Sequence, residues 1–117
     1  TAPAPPPDVS EILEEATRLA NLNRHDQAIA ACERYLTLRG PNAGAYYLMG
    51  MLQQARGDRP LAEKSFSRAV YLDPAHDEAL LALALLAERR GDAAGAAGFR
   101  RRAERAVQRK KEVKGDE

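Results

Sequence analysis

The chain predicts an all-α fold, a solenoid of three helical hairpins with an extended C-terminal capping helix, and three observations carry that expectation. The text repeats itself at a 34-residue offset: Gly57-Asp58 recurs as Gly91-Asp92, Ala62 as Ala96 and Ala69 as Ala103. Apolar residues recur at helical spacing between breakers such as Gly40-Pro41 and Asp73-Pro74. Ala and Leu dominate while 2 Phe, 4 Tyr and no Trp occur, a composition suited to thin helix-on-helix packing rather than to a sheet.

The opening residues, 1–8, hold four prolines within Thr1 to Pro7 and predict an extended, disordered linker. A start without Met inside such a segment suggests a piece cut from a longer protein. The first hairpin, residues 9–42, begins near Ser10, a candidate N-cap followed by Glu11, Glu14 and Glu15 at the positive end of the helix dipole. Its apolar stripe is Ile12, Leu13, Ala16, Leu19 and Ala20, and its second helix, about Asp26 to Leu38, carries Ala28, Ile29, Cys32 and Leu36. Cys32 is expected in the core. The same interval upstream takes Gly57 to Asn23, and Asn tolerates the left-handed turn conformation that Gly adopts freely.

The second hairpin, residues 43–76, places Tyr46, Met49 and Gly50 on its first helix and Ala62, Phe66 and Ala69 on its second. Gly50 and Ala62 are small where two helices approach closely, so a larger residue there would overpack the crossing. In the third hairpin, residues 77–110, Leu80, Leu81, Leu83, Leu85 and Leu86 make the first helix apolar on nearly every side, and such a helix is expected to be covered all round. Its partner starts after Asp92, a candidate N-cap, and runs to about Lys111, with Phe99, Ala103, Ala106 and Val107 as a narrow stripe among cations. That pattern fits the wet-sided terminal helix a repeat array requires. Residues 9–112 thus read as one tetratricopeptide-repeat (TPR) domain, and 113–117 as a disordered tail.

Charge and motifs exclude several function classes. The chain is formally +1 overall, yet residues 99–117 carry 8 basic and 4 acidic groups, net +4 against −3 for the remainder. A nucleic-acid role is disfavoured by the four acids in that stretch and by the lack of aromatic residues interleaved for base stacking. An acidic protein surface fits the tail better. Cys32 is the only cysteine, so no intramolecular disulfide forms, compatible with a cytoplasmic location. No apolar run reaches the roughly 20 residues of a membrane span, and no signal-peptide core appears at the start. His25 and His76 stand alone in inter-helix turns without companion metal ligands. Neither a catalytic nor a metal site is expected, and no cofactor in this stretch.

Stacked hairpins bring their first helices to the inner, concave side, where residues 34 apart form ladders. These ladders are Leu13, Tyr47, Leu81; Thr17, Met51, Leu85; and Ala20, Gln54, Glu88, flanked by Asn21, Ala55 and Arg89. The expected partner-binding residues are therefore Leu13, Thr17, Tyr47, Met51, Gln54, Leu81, Leu85, Glu88 and Arg89. An apolar centre with a polar rim suits a protein or peptide with hydrophobic anchors. The same residues are equally readable as core, or as a surface covered by the chain's own termini or a second copy. A clamp for carboxylate-terminated peptides is disfavoured, because the ladders offer Asn21 and Arg89 but few other donors.

The run Ala69-Val70-Tyr71-Leu72-Asp73-Pro74-Ala75-His76-Asp77-Glu78-Ala79-Leu80, then Leu83-Ala84-Leu85-Leu86, Gly91-Asp92 and Phe99-Arg100-Arg101-Arg102-Ala103 resembles a known family. It is similar to the C-terminal repeat extension of CheR-type chemoreceptor methyltransferases, the WspC and FrzF kinds among them, over about residues 43–106. The resemblance implies a parent protein-glutamate O-methyltransferase that uses S-adenosylmethionine, and a repeat module that targets or tunes it by contact with a chemoreceptor or signalling protein. None of the methyltransferase residues is in this chain. The first repeat departs from the pattern at Glu15 and Cys32, where larger apolar groups are usual. The alternative is a stand-alone bacterial TPR scaffold or chaperone-like adaptor with no enzyme attached.

Overall fold

The 34-residue period survives to the residue in three dimensions. A computed structural model describes residues 9–115, with side chains from Glu11 onward. It contains α1 (Val9–Asn21), α2 (His25–Arg39), α3 (Ala43–Ala55), α4 (Arg59–Leu72), α5 (Asp77–Arg89) and α6 (Ala93–Gly115). First helices begin at 9, 43 and 77, and second helices at 25, 59 and 93. The expected linker at 1–8 lies outside the described residues, as do the last two residues of the expected tail. Because α1 already includes Ser10, this serine sits in the first turn rather than ahead of it, and its side chain is outside the described set.

The turns inside the hairpins are copies of one another. Asn23, Gly57 and Gly91 have φ of 60°, 81° and 82°, the left-handed conformation each position requires. The following N–H, from Arg24, Asp58 or Asp92, donates to the carbonyl of Leu19, Gln53 or Ala87 at 2.9, 2.9 and 2.8 Å, while the N–H of Asn23, Gly57 or Gly91 donates to Ala20, Gln54 or Glu88. These are the two bonds of a Schellman motif, satisfying carbonyls the helix end leaves open. The next helix is then capped: Asp58 accepts from the Leu61 N–H at 3.3 Å and Asp92 from the Gly95 N–H at 2.8 Å. Arg24 holds that place in the first repeat and makes no side-chain cap, so the most divergent repeat lacks one of the shared devices.

Each helix packs chiefly on its sequence neighbours, and α1 also touches α3. The radius of gyration is 16.2 Å, above the ~13 Å expected for a compact domain of this length; the arrangement is an elongated stack, not a closed bundle. One core gathers Ile12, Ala16, Ala28, Ile29, Cys32, Tyr35 and Leu52; a second gathers Ala62, Phe66, Ala69, Leu80, Leu83 and Leu86. Gly50 is small for the predicted reason: a Cβ there would lie 2.5 Å from the ring of Phe66. Beside it the buried Ser65 hydroxyl donates to Gln53 Oε1 at 2.6 Å, so α3 and α4 share a polar pair with each group satisfied.

Two expectations need correction. Helix α6 runs to Gly115, so residues 113–115 are helical where a disordered tail was expected; Arg, Lys, Glu, Gln and Ala favour helix, and no Pro intervenes. Helix α5 is not covered all round. Ala79, Leu80, Leu83, Ala84, Leu86 and Ala87 are buried, but Leu81 and Leu85 are 50% and 41% exposed, because α4 and α6 occupy only part of its circumference.

Candidate functional site

The two exposed leucines of α5 have company. Tyr47, Met51 and Gln54, spaced along one side of α3, face Glu78, Leu81, Ala82, Leu85 and Arg89 on α5 across an open groove of about 620 Å³. Residues at the 34-residue offset thus line one groove as the ladders require: Tyr47 and Leu81, Met51 and Leu85, Ala55 and Arg89. Met51 is 45% exposed, so the floor is apolar and solvent-facing at once. Gln54, Glu78 and Arg89 supply its polar edges, both charge signs included.

Tyr47 anchors the groove. Its ring lies 5.7 Å from that of Phe66 and 5.0 Å from that of His76, which fixes its orientation against the second core. Burial first, then the neighbouring Glu78 and Asp77 carboxylates, raise its phenol above the ordinary tyrosine value; the hydroxyl stays protonated as a donor at neutral pH. His76 caps α5, its Nδ1 accepting from the Ala79 N–H at 3.1 Å. Asn42, the residue 34 positions earlier, caps α3 in the same way, accepting from Ala45 N–H at 2.9 Å. His76 is therefore a capping group, whereas His25 is the first residue of α2.

Three predicted positions do not join this groove. Leu13 is half-buried and packs on the first core, and the exposed Thr17 hydroxyl donates to the Leu13 carbonyl at 3.1 Å. Both lie on α1, which contributes no lining residue to the α3–α5 groove. Glu88 forms an ion pair with Arg100 of α6 and lines a separate cleft with Gly91, Ala93, Ala96 and Arg100. Conversely, Glu78 was missed. It lies one helical turn before Leu81, so extending the same stripe toward the start of α5 finds it.

Cys32 is fully buried and its thiol is pushed up to about 11 by burial, with a contribution from the Glu33 carboxylate, as befits a core residue rather than a nucleophile. Among the described residues no group of His, Cys, Asp or Glu is placed to hold a metal ion. No helix among them is long and apolar enough to cross a membrane.

Repeated Schellman turns, paired helices and a groove between first helices make a tetratricopeptide-repeat-like fold, and residues 43–76 match the family model described as tetratricopeptide repeat. More particularly, the chain is 45% identical over 94 residues to "Probable biofilm formation methyltransferase WspC" of Pseudomonas aeruginosa. It is 43% identical over 97 residues to the protein of the same name from Pseudomonas putida. The matches take in 80% and 83% of this chain but span only 22% and 23% of those relatives. The resemblance read from Ala69 to Ala103 therefore holds at sequence level across most of the chain. Among solved structures the fold is similar to MamA, with a TM-score of 0.83 at 19% identity, covering 90% of this chain and 61% of that one. It is also similar to Yersinia enterocolitica SycD in complex with a peptide of the translocator YopD, with a TM-score of 0.80 at 19% identity over 92% and 82% of the two chains. PcrH in complex with the chaperone binding region of PopB gives 0.79 at 17% identity over 86% and 81%. At such identities the likeness is one of fold.

Proposed function

We propose that this chain is a non-catalytic interaction module of a CheR-type, S-adenosylmethionine-dependent protein-glutamate methyltransferase, and that it holds a segment of a protein partner in the groove between α3 and α5. The observation that carries the reading is the exposure of Met51, Leu81 and Leu85 together along one wall-and-floor surface. Water gains by leaving such a patch, and a helix or extended peptide with apolar anchors fills it. SycD and PcrH, of like fold, are each in complex with a peptide or binding region of another protein, and the sequence relatives are named methyltransferases; both support the assignment. In this reading the methyl donor belongs to a catalytic domain outside this chain, the partner is a chemoreceptor or signalling protein in the cytoplasm, and the module works by raising the local concentration of substrate-bearing partner.

The test is calorimetric titration of the chain with the cytoplasmic part of the parent enzyme's receptor substrate, comparing the parent with a Met51→Ala, Leu85→Ala double variant. Both side chains are exposed, so the variant keeps its helices while its affinity drops about tenfold or more. Equal affinity in the two proteins would remove the groove from consideration. Similarity of fold to SycD and PcrH also favours a second reading, a stand-alone adaptor; the coding sequence upstream of Thr1 separates the two.

A further inference from the structure

A second surface, made by the second helices and so distinct from the α3–α5 groove, carries two features that the proposed function leaves unused. The first is a row of cations. Arg102, Arg105 and Arg109 fall at three- and four-residue spacing along one face of α6, and with Ala106 they face Asp73, Pro74 and Ala75 of the α4–α5 turn across a cleft of about 430 Å³. Two other cations of α6 are already committed, Arg100 to Glu88 and Lys110 to Asp77. Among the described residues these three arginines have no acidic partner within ion-pair distance. Asp73 is the one carboxylate in the lining, and its Oδ1 is occupied, accepting from the Ala75 N–H at 3.1 Å.

The second feature adjoins the first. Val70, Tyr71, Pro74, Leu83 and Phe99 line an apolar cleft of about 370 Å³ between α4 and α6, and Pro74 and Arg102 belong to both clefts. Tyr71 is 86% exposed, the most solvent-facing large apolar side chain of the described residues. Arg102 lies 5.9 Å from the centre of the Phe99 ring, so its guanidinium stands at the seam where apolar lining gives way to charge.

We infer that this composite surface is a second docking site, for an acidic segment of a protein partner that carries an apolar anchor. The anchor enters between Tyr71 and Phe99, and carboxylates following it along the segment take charge-assisted, bidentate hydrogen bonds from Arg102, Arg105 and Arg109. Charge complementarity selects the occupant: three unpaired guanidinium groups in a row attract carboxylates. A nucleic acid is the poorer fit, since the cations span only two turns of one helix and Tyr71 alone offers an open ring for base stacking.

The experiment uses the 117-residue chain and a short fluorescein-labelled peptide of alternating Glu and Asp with a single central Phe, read by fluorescence anisotropy. Saturable binding that weakens as salt rises is expected. An Arg105→Gln, Arg109→Gln double variant should bind about tenfold or more weakly, and Tyr71→Ala about threefold more weakly. All three positions are exposed, and circular dichroism verifies that the variants stay folded. The Met51→Ala, Leu85→Ala variant should bind the peptide as the parent does, so this site fails or stands independently of the α3–α5 groove. Absence of binding, equal affinity of the arginine variant, equal affinity for a peptide with Gly in place of Phe, or tighter binding of an oligothymidine strand would each overturn the inference.

Discussion

Replacing Gly50 with alanine adds a single carbon at a close crossing of α3 and α4. That Cβ would lie 2.5 Å from Phe66 Cε1, 2.6 Å from Cδ1 and 2.9 Å from Cζ, whereas carbon atoms in favourable contact sit roughly 3.5–4.0 Å apart. The ring must retreat by about 1 Å to reach that separation. Phe66 is 0% exposed, and its ring leans on Tyr47, so no empty space receives it. Overpacking a filled core costs about 1–3 kcal/mol, and three contacts this short point to the upper part of that range. Removing a glycine from a helix interior offsets about 0.5–1 kcal/mol. The net expectation is a loss of about 1–2 kcal/mol, or a melting point lower by roughly 4–16 °C. Far-ultraviolet circular dichroism during thermal and urea unfolding measures it. Gly98→Ala is the internal control: its Cβ would meet only the mobile end of Arg101, at 3.8 Å, so helix propensity alone should raise stability by about 0.5–1 kcal/mol. In a Phe66→Leu background the Gly50→Ala penalty should shrink, because the obstructing ring is gone. A Gly50→Ala protein that melts at or above the parent temperature would refute the close-crossing argument.

Three other outcomes follow from the same structure. The Asp77 carboxyl is held below its ordinary value, chiefly by the hydrogen bond from Lys110; its stabilising effect is therefore full above the unfolded pKa of about 3.9 and disappears as pH falls through the lower folded value. Acid titration of helicity should show Asp77→Asn losing that part of the pH dependence, and identical titration curves would count against the pairing of α5 with α6. For Cys32 the sign is reversed: burial of the neutral thiol stabilises fully below the unfolded pKa of about 8.5, and this is lost as pH rises toward the folded value of about 11. Alkylation at mildly alkaline pH should accordingly be slow in the native chain and fast in urea. Finally, Asn23 sits at φ 60°, so Asn23→Ala should cost about 1 kcal/mol while Asn23→Gly is neutral or stabilising; urea unfolding that ranks Ala above Gly would contradict the turn assignment.

Much of this molecule is legible in its letters because a solenoid is local. Hairpin contacts and hairpin-to-hairpin contacts both involve sequence neighbours, so a 34-residue period that fixes helix lengths and turns also fixes what packs on what. Asn23, Gly57 and Gly91 were readable as three copies of one turn, Asp92 as a cap, and Gly50 and Cys32 as buried, since each follows from backbone geometry or from spacing on one helix. That Tyr47, Leu81, Met51 and Leu85 share one groove was readable too, as soon as equal offsets were taken to mean adjacency. What spacing leaves undetermined is the rotation of each helix about its own axis. That rotation leaves Leu81 and Leu85 in water although α5 looks apolar all round, and directs Glu88 to Arg100 instead of to the groove. It also sets Arg102 beside Phe99 and Pro74. Periodicity specifies neighbours along a stack; which side of each cylinder faces solvent is decided only when all the cylinders compete to bury their apolar surface at once.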